Sequence, residues 1–227
     1  MRNLLIFILV ALIATSCVTV QFTEPQPAGE ASLSTFPESF LGTYIITEYR
    51  DSEKSEADTL VIFPEGFLAI SRESRELTLE EAASDPDIRI QDSLLYRLDI
   101  NPQAGYPYVR TDSSIRYSYW EREKSFLSDS VILKNYKGEY YLNMRDEPSR
   151  YNVLLLKQER NGDLAVWMVD PEKEIEHLQE YTRGVREEYN SEGKVEKYIV
   201  SPKAKELNKF VQNGGFKYLL YRLYRAE

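Results

Sequence analysis

Short apolar runs, some of them alternating with polar residues and most of them bounded by turn residues, recur along the chain beyond residue 38, which is the pattern of β-strands buried on one or both faces. The clearest example is a pair of apolar segments, residues 152–159 and 164–169, separated by Arg160-Asn161-Gly162-Asp163. Asn-Gly between two apolar runs is among the strongest hairpin signals, because both residues tolerate the positive φ of a tight turn. The pattern therefore predicts consecutive strands joined by short turns.

Three segments depart from this alternation and predict short helices at residues 78–84, 171–182 and 201–212. Thr78 and Glu81 have capping-box spacing, and Pro171 and Gly184 mark the start and end of the second helix. The other alternating segments predict strands over residues 40–49, 59–63, 67–71, 93–100, 115–120, 130–134, 139–145, 185–189, 195–200 and 216–224. The fold class is mainly β (β+α): an antiparallel meander forming a barrel or sandwich with two or three short peripheral helices.

Residues 38–227 predict a single β-rich domain, because about 190 residues without a low-complexity break are enough for one well-buried core. A weak internal echo joins residues 58–70 and 129–142, which share a polar start, an apolar strand and a glycine turn. The echo suggests two related β halves, although any hairpin shows these features.

The first residues have the plan of a secretory signal: Arg2, then an unbroken apolar run of 11 residues from Leu4 to Ala14, then small residues before Cys17. The run is shorter than the roughly 20 residues that a helix needs to cross a bilayer. An uncleaved helical anchor is the competing interpretation, because Val18, Val20 and Phe22 prolong the run and no charged residue occurs between Arg2 and Glu24. Both interpretations hold the chain at a membrane by its N-terminus.

Ile13-Ala14-Thr15-Ser16-Cys17 resembles a lipobox, the signal-peptidase II recognition sequence of bacterial lipoproteins, with Ala14 where Leu is usual and Ser16 where Gly or Ala is usual. The resemblance implies that residues 1–16 are a signal peptide and that Cys17 carries the lipid. Cys17 is the chain's only cysteine, so lipidation also removes a lone thiol that would be a hazard in an oxidising compartment. Residues 17–37 predict the lipidated cysteine followed by a flexible tether, because residues 23–37 are poor in large apolar residues and contain Pro25, Pro27 and Gly29.

The formal net charge is −9, and removal of Arg2 with the signal leaves 27 basic and 37 acidic side chains. This balance disfavours nucleic acid as a partner, because phosphate backbones reward Lys and Arg. The 17 tyrosines are the most unusual feature of the composition. They suit half-buried strand positions, and stacking platforms or cavity walls are the functional alternative.

The search for chemistry is short because His177 is the only histidine. Glu174 and His177 have the Glu-x-x-His spacing of helical-bundle metal sites, but that motif normally repeats on a second helix, so we expect a solvated helix face. Asp85 and Asp87 predict a solvated loop, because the glycine and the final Glu of a calcium loop are missing. We therefore predict no catalytic residue, no metal site and no cofactor, and the ligand-binding residues stay unknown.

The domain also resembles uncharacterised lipoproteins of the Bacteroidota through Leu41-Gly42-Thr43-Tyr44, the segment 127–143 with Asn135-Tyr136-Lys137-Gly138, and Gly214-Gly215-Phe216. Such proteins have no established activity, so the resemblance implies location alone. That location is the bacterial cell envelope, with the outer membrane favoured over the inner and the domain in the periplasm or at the cell surface.

Two functional hypotheses remain from the sequence. The favoured one is a non-enzymatic, membrane-anchored envelope lipoprotein that binds a protein partner or a small apolar ligand, or serves a structural role. The alternative is a carboxylate-dependent glycan hydrolase of the envelope, which needs two carboxyl groups about 5 to 9.5 Å apart in a cleft.

Overall fold

The computed structural model describes residues 18–48, 58–182 and 184–226; for residues 47 and 48 it describes the backbone only. Of the described residues, 54% are in strands and 15% in helices, which confirms the predicted mainly β class with short helices. The strands are β1 (Thr19–Phe22), β2 (Ser32–Leu33), β3 (Gly42–Glu48), β4 (Thr59–Phe63), β5 (Gly66–Thr78), β6 (Ile88–Gln91), β7 (Leu94–Arg97), β8 (Asn101–Arg110), β9 (Ser114–Phe126), β10 (Val131–Tyr136), β11 (Glu139–Glu147), β12 (Arg150–Gln158), β13 (Leu164–Met168), β14 (Arg186–Tyr189), β15 (Val195–Val200) and β16 (Tyr218–Arg225). The helices are a 3-10 turn at Glu38–Phe40, α1 (Leu79–Ser84), α2 (Pro171–Tyr181) and α3 (Ala204–Gln212).

The chain forms two compact units, so the predicted single domain over residues 38–227 needs correction. Unit 2 is Ile70–Arg122, and unit 1 comprises the rest of the described chain. The chain leaves unit 1 along β5 and returns along β9, each of which is 13 residues long. The sequence prediction ended these strands at Ser71 and Trp120, because beyond those points both faces carry polar residues and the apolar alternation stops.

The strands of unit 1 follow the hydrogen-bonded order β14-β15-β1-β12-β13-β16-β3-β4-β5, and β11, β10 and β2 continue from the other edge of β12. Consecutive strands pair in an antiparallel manner, while β1 and β15 are parallel, with Thr19 opposite Lys197. This order does not close into a ring among the described strands, so it fits the sandwich side of the prediction.

The central strands of unit 1 are covered on both faces. Along β12, Leu154 and Leu156 join a first core with Phe40 and Tyr44, whereas Val153 and Leu155 join a second core. Helices α2 and α3 contribute Leu178, Leu207 and Phe210 to this second core. Successive side chains of a strand point to opposite faces, so one strand supplies both cores.

The segment after Cys17 belongs to the fold of unit 1, which corrects the flexible tether predicted over residues 17–37. Val20 and Phe22 of β1 are buried in the second core, and Gln26 is fully buried. The Asn143 side chain holds the Gln26 peptide: its Oδ1 accepts from the Gln26 N–H at 2.5 Å and its Nδ2 donates to the Gln26 carbonyl at 2.8 Å. The amino-acid composition did not predict this order. Pro and Gly also occur in ordered segments, here called the strap (residues 23–30), whose backbone groups bind side chains of other strands.

The buried Lys134 ammonium holds the same strap, donating to the Pro25 and Pro27 carbonyls at 2.9 and 3.1 Å. Burial lowers the pKa of Lys134, and the nearby carboxylates Glu24 and Glu30 oppose that shift.

Unit 2 is an antiparallel sheet in the order β5-β9-β8-β7-β6 with α1 on one face. The predicted capping box at the start of α1 is confirmed, because Thr78 accepts from the Glu81 N–H and Glu81 accepts from the Thr78 N–H. One face of the sheet packs around Ala82 of α1, and its core is completed by Leu95, Ile115, Tyr117 and Tyr119. We call this side the inner face and the opposite side the outer face. The two echoing segments of the sequence are the hairpins β4–β5 and β10–β11, and neither coincides with unit 2.

Candidate functional site

The outer face of unit 2 is an uncovered sheet surface rich in arginine and aromatic side chains. Along β9, Ile115, Tyr117 and Tyr119 are buried on the inner face, while Trp120 is 48% exposed on the outer face. Strand register places the other members of the outer face: Arg72, Ser74, Glu76, Arg89, Tyr96, Gly105, Pro107, Val109, Arg116, Ser118 and Arg122.

The central row of the outer face crosses all five strands. Tyr96 lies opposite Arg89 on one side and opposite Gly105 on the other, and the Arg89 guanidinium stands 4.7 Å from the centre of the Tyr96 ring. Continuing the β8–β9 register from Tyr108 opposite Tyr117 brings Trp120 level with Gly105. The row therefore has two aromatic side chains around a glycine.

Arg72 lies level with Trp120 at the far end of this row. The hydroxyls of Ser74 and Ser118 are 2.9 Å apart across β5 and β9, and stepping two residues along each antiparallel strand pairs Arg72 with Trp120. An arginine thus stands at each end of the aromatic row.

Gly105 gives this row its shape. A Cβ atom at this position would lie 2.7 Å from Leu94 Cδ1 and 3.1 Å from Tyr96 Cζ. The Leu94 and Tyr96 side chains therefore occupy the space that a side chain at position 105 would need.

A second row carries Val109, Arg116 and Glu76. Val109 is 67% exposed and lies opposite Arg116, which donates to Glu76 at 2.8 Å. Hydrogen bonds from Ser114 and then Arg116 lower the pKa of Glu76. Within the described residues of the outer face, Glu76 is the single acid among four arginines, so the face is basic in an acidic protein.

Arginine has a different role on the inner face of the same sheet. Arg97 donates to the Tyr117 hydroxyl at 2.7 Å and to both carboxylate oxygens of Asp99. The hydrogen bonds from Arg97 hold the pKa of Asp99 below its usual range. These bonds join β7, the following turn and β9, so Arg97 stabilises the inner side of unit 2.

The structure corrects the expectation for Glu174 and His177, which lie on α2 in unit 1. Glu174 is fully buried and not on a solvated face. Its Oε2 accepts from the Asp170 N–H at 2.7 Å and from the Lys217 N–H at 2.9 Å, so it ties the first turn of α2 to the segment before β16. The sequence missed this because the two backbone donors come from irregular segments.

His177 is half-buried between aromatic rings, with its ring centre 5.2 Å from those of both Tyr181 and Phe210. Its Nδ1 and the Glu174 Oε1 have no hydrogen-bond partner among the described residues. The surroundings are the second core, so this helix face packs and does not open on a cleft.

The remaining predicted site residues are quickly placed. Cys17 lies outside the described residues. Asp85 and Asp87 lie in the turn after α1, where Asp85 accepts from the Asp87 N–H at 2.9 Å. The described residues contain no group of three or more His, Cys, Asp or Glu side chains suited to a metal ion. Within the same part of the chain, no helix is long and apolar enough to cross a membrane.

A small cavity lies in unit 1 where β1 and β13 diverge from β12. Its volume is about 20 Å³ and most of its lining is apolar, with Val20, Val153, Met168 and Leu220 among the contributing residues. A space of this size holds about one water molecule. It does not accommodate an apolar ligand of several carbon atoms.

The chain matches no known protein-family model, and neither a curated protein nor a solved structure matches it. The outer face must therefore be interpreted from its own chemistry. One sequence signal pointed to it: residues 70–122 contain seven arginines and no lysine, whereas the rest of the chain uses both.

Proposed function

We propose that this protein is a membrane-anchored envelope lipoprotein without enzymatic activity, which binds an acidic protein partner through the outer face of unit 2. The lipid on Cys17 holds the chain at the membrane, and the outer face supplies the contact. The observation that carries the binding part is the row of Trp120, which is 48% exposed, with Tyr96 and the flanking arginines.

The course of β1 supports a lipid over an uncleaved helical anchor. Val20 and Phe22 are buried in the second core, so they are not available to prolong an apolar membrane helix. The run from Leu4 to Val18 then has 15 residues, or about 22 Å of helix, against the roughly 30 Å of a hydrocarbon core.

The residue types of the outer face favour a protein as the partner. Arg, Tyr and Trp are enriched in protein interfaces and dominate their energetic centres, whereas Lys is depleted. Arg89 and Arg122 add positive charge beside the Arg116–Glu76 pair, which calls for an acidic complementary surface. A small apolar ligand has less support, because the cavity in unit 1 has the volume of about one water molecule.

The glycan hydrolase hypothesis gains no specific support. Asp170 and Glu174 are two buried carboxylates close in sequence, but backbone N–H groups occupy them: Asp170 accepts from Glu172, and Glu174 accepts from Asp170 and Lys217. Both carboxylates bind backbone N–H groups at the start of α2. The glycan hydrolase stays an untested prediction.

Intact mass of the membrane-extracted protein tests the anchor. We expect a chain that starts at Cys17 and carries added acyl mass, and we expect Cys17→Ala to lose that mass and to leave the membrane fraction. A full-length chain without acyl groups would contradict the lipid anchor.

Photo-crosslinking in intact cells tests the partner. A photoreactive side chain at Val109 reports on the outer face, and the same group at Ile90 is the matched control, because Ile90 is 42% exposed but lies opposite Leu95 on the inner side. We expect one discrete protein adduct at Val109 that is absent at Ile90, is weakened by Arg122→Glu, and maps to an acid-rich peptide of the partner. Equal adducts at both positions, a dimer of this chain, or an adduct with glycan alone would overturn the proposal.

A further inference from the structure

The chain enters the folded unit 1 almost directly after the proposed lipid. Thr19 already belongs to β1, and only Val18 separates it from Cys17. Two residues of fully extended chain span at most about 7 Å. The start of β1 therefore lies close to any lipid on Cys17.

The β1 segment is held too firmly to act as a spacer. Four consecutive residues, from Thr19 to Phe22, pair with β15, and Phe22 also pairs with Tyr151 of β12. Just beyond, Asn143 and Lys134 fix the strap around Gln26. Pulling the domain away from the membrane would break these hydrogen bonds and expose Val20 and Phe22.

Two exposed tyrosines lie beside the start of β1. Thr19 is level with Lys197 of β15, which is opposite Glu188 of β14, so Tyr189 at the end of β14 is two strands away. On the other side, Thr19 and Met168 line the same cavity, and Met168 is opposite Tyr218. Tyr189 is 58% exposed and Tyr218 is 42% exposed. We call Thr19, Tyr189 and Tyr218 the β1 patch.

Two of the cations near the β1 patch are held in ion pairs. Lys197 forms an ion pair with Glu147 and Lys194 with Glu192, each at 3.0 Å, and the Tyr189 hydroxyl donates to Glu187. Lys217, which precedes Tyr218, is an exposed cation at the same place. The apolar contribution of the patch comes from the tyrosine rings. Tyrosine is typical of membrane interfaces, because its ring is apolar and its hydroxyl is polar.

We propose that unit 1 is seated directly on the lipid surface through the β1 patch, with Tyr189 and Tyr218 at headgroup level. This inference rests on the proposed lipid at Cys17. The seating replaces free rotation on a tether by a fixed orientation of unit 1 toward the bilayer. Because tyrosine rings make the contact, we expect the seating to occur on neutral lipid as well as on anionic lipid.

Depth-dependent fluorescence quenching tests the seating on the full-length lipidated protein in neutral phosphatidylcholine vesicles. Acylated Cys17 does not react with thiol probes, so a fluorophore labels only an introduced cysteine. Tyr218→Cys places the probe in the β1 patch, and Tyr224→Cys is the matched control, because it has the same 42% exposure on the same strand. Six residues of β-strand separate the two positions by about 20 Å.

We expect headgroup-region spin-labelled lipids to quench the probe at position 218 at least about threefold more than the probe at 224, as for an aromatic side chain at the interface. A flexible Gly/Ser insert of about 20 residues between Val18 and Thr19, with an r.m.s. length of about 25 Å, should reduce quenching at 218 to the control value.

Intact mass separates the two levels of the argument. A lipidated chain with equal quenching at 218 and 224, or with quenching that survives the insert, overturns the seating and leaves the anchor in place. A chain without acyl mass overturns the anchor and the seating together.

Discussion

The central strands of unit 1 and the sheet of unit 2 differ in how many of their faces are covered. In unit 1, Leu154 and Leu156 of β12 pack in the first core, and Val153 and Leu155 pack in the second core. In unit 2, Tyr117 and Tyr119 of β9 are buried on the inner face, while Trp120 between the polar positions of the outer face stays exposed. Packing thus accounts for the apolar residues in the central strands of unit 1 and on the inner face of unit 2.

The difference teaches where function is to be sought. A single exposed aromatic side chain is ordinary, but aromatic side chains that are grouped with arginines on a solvated sheet face indicate an interaction site. The same contrast holds for arginine: the Arg97 side chain is 12% exposed and bound to Tyr117 and Asp99, whereas the Arg116 side chain is 66% exposed. The predictions below ask whether stability follows the covered faces and binding follows the uncovered one.

The largest effect is expected in the doubly covered sheet. Leu155 is fully buried in the second core of unit 1. Leu155→Ala should lower the free energy of unfolding by about 2–5 kcal/mol, through lost transfer energy and the cavity left behind. Urea unfolding of purified protein measures this, and a loss below about 1 kcal/mol would mean that this core is loosely packed.

Asn143→Ala tests the ordered strap. The substitution removes the partner of both Gln26 backbone groups and of the Ile132 and Tyr141 carbonyls, so it should cost about 2 kcal/mol. Hydrogen exchange should accelerate in residues 20–28. If those amides exchange at random-coil rates already in the wild type, the strap is a flexible tether after all.

Tyr141→Phe gives a pH-dependent effect. Burial raises the pKa of Tyr141, so the folded state keeps its proton where the unfolded state loses it. The tyrosine's contribution is constant below pH 10 and declines above it, by about 1 kcal/mol between pH 10 and 11. Unfolding of both proteins at pH 7 and 11 measures it: the variant should gain stability relative to the wild type at pH 11. No relative change would mean that Tyr141 has the same pKa in the folded and unfolded states, which contradicts the burial of its hydroxyl.

The smallest effect on stability belongs to the outer face. Val109→Ala should change the free energy of unfolding by less than about 0.5 kcal/mol, because the side chain is 67% exposed and no core depends on it. Leu95→Ala is the control from the inner face of the same sheet, where full burial should make the loss several times larger. Equal losses would show that the outer face also carries the fold.

The sequence predicted the elements well where local chemistry decides. The Asn161-Gly162 hairpin, the Thr78–Glu81 capping box and the helix from Pro171 all depend on residues a few positions apart, and all are present. It missed β8, whose Pro102, Gly105 and Pro107 disfavour a strand in isolation and are accommodated by neighbouring strands.

The candidate site was beyond the reach of the sequence for a related reason. Arg72, Arg89 and Trp120 are far apart in the chain, and only the register of β5, β9 and β6–β8 brings them to one row. The burial of Glu174 depends likewise on the Lys217 N–H, 43 residues away. The alternation of side chains along a strand predicts which residues share one face of that strand. It does not predict which strands are neighbours in the sheet.

Affinity for the partner captured at Val109 tests the central claim most directly. Titration of the purified partner against wild type, Trp120→Ala and Ile90→Ala compares the outer face with the inner side of the same sheet. Trp120→Ala should weaken binding at least about 30-fold, as for an interface hot spot of about 2 kcal/mol, while Ile90→Ala changes it less than about threefold. Equal weakening by both variants, or none by Trp120→Ala, would contradict the assignment of the outer face as the binding surface.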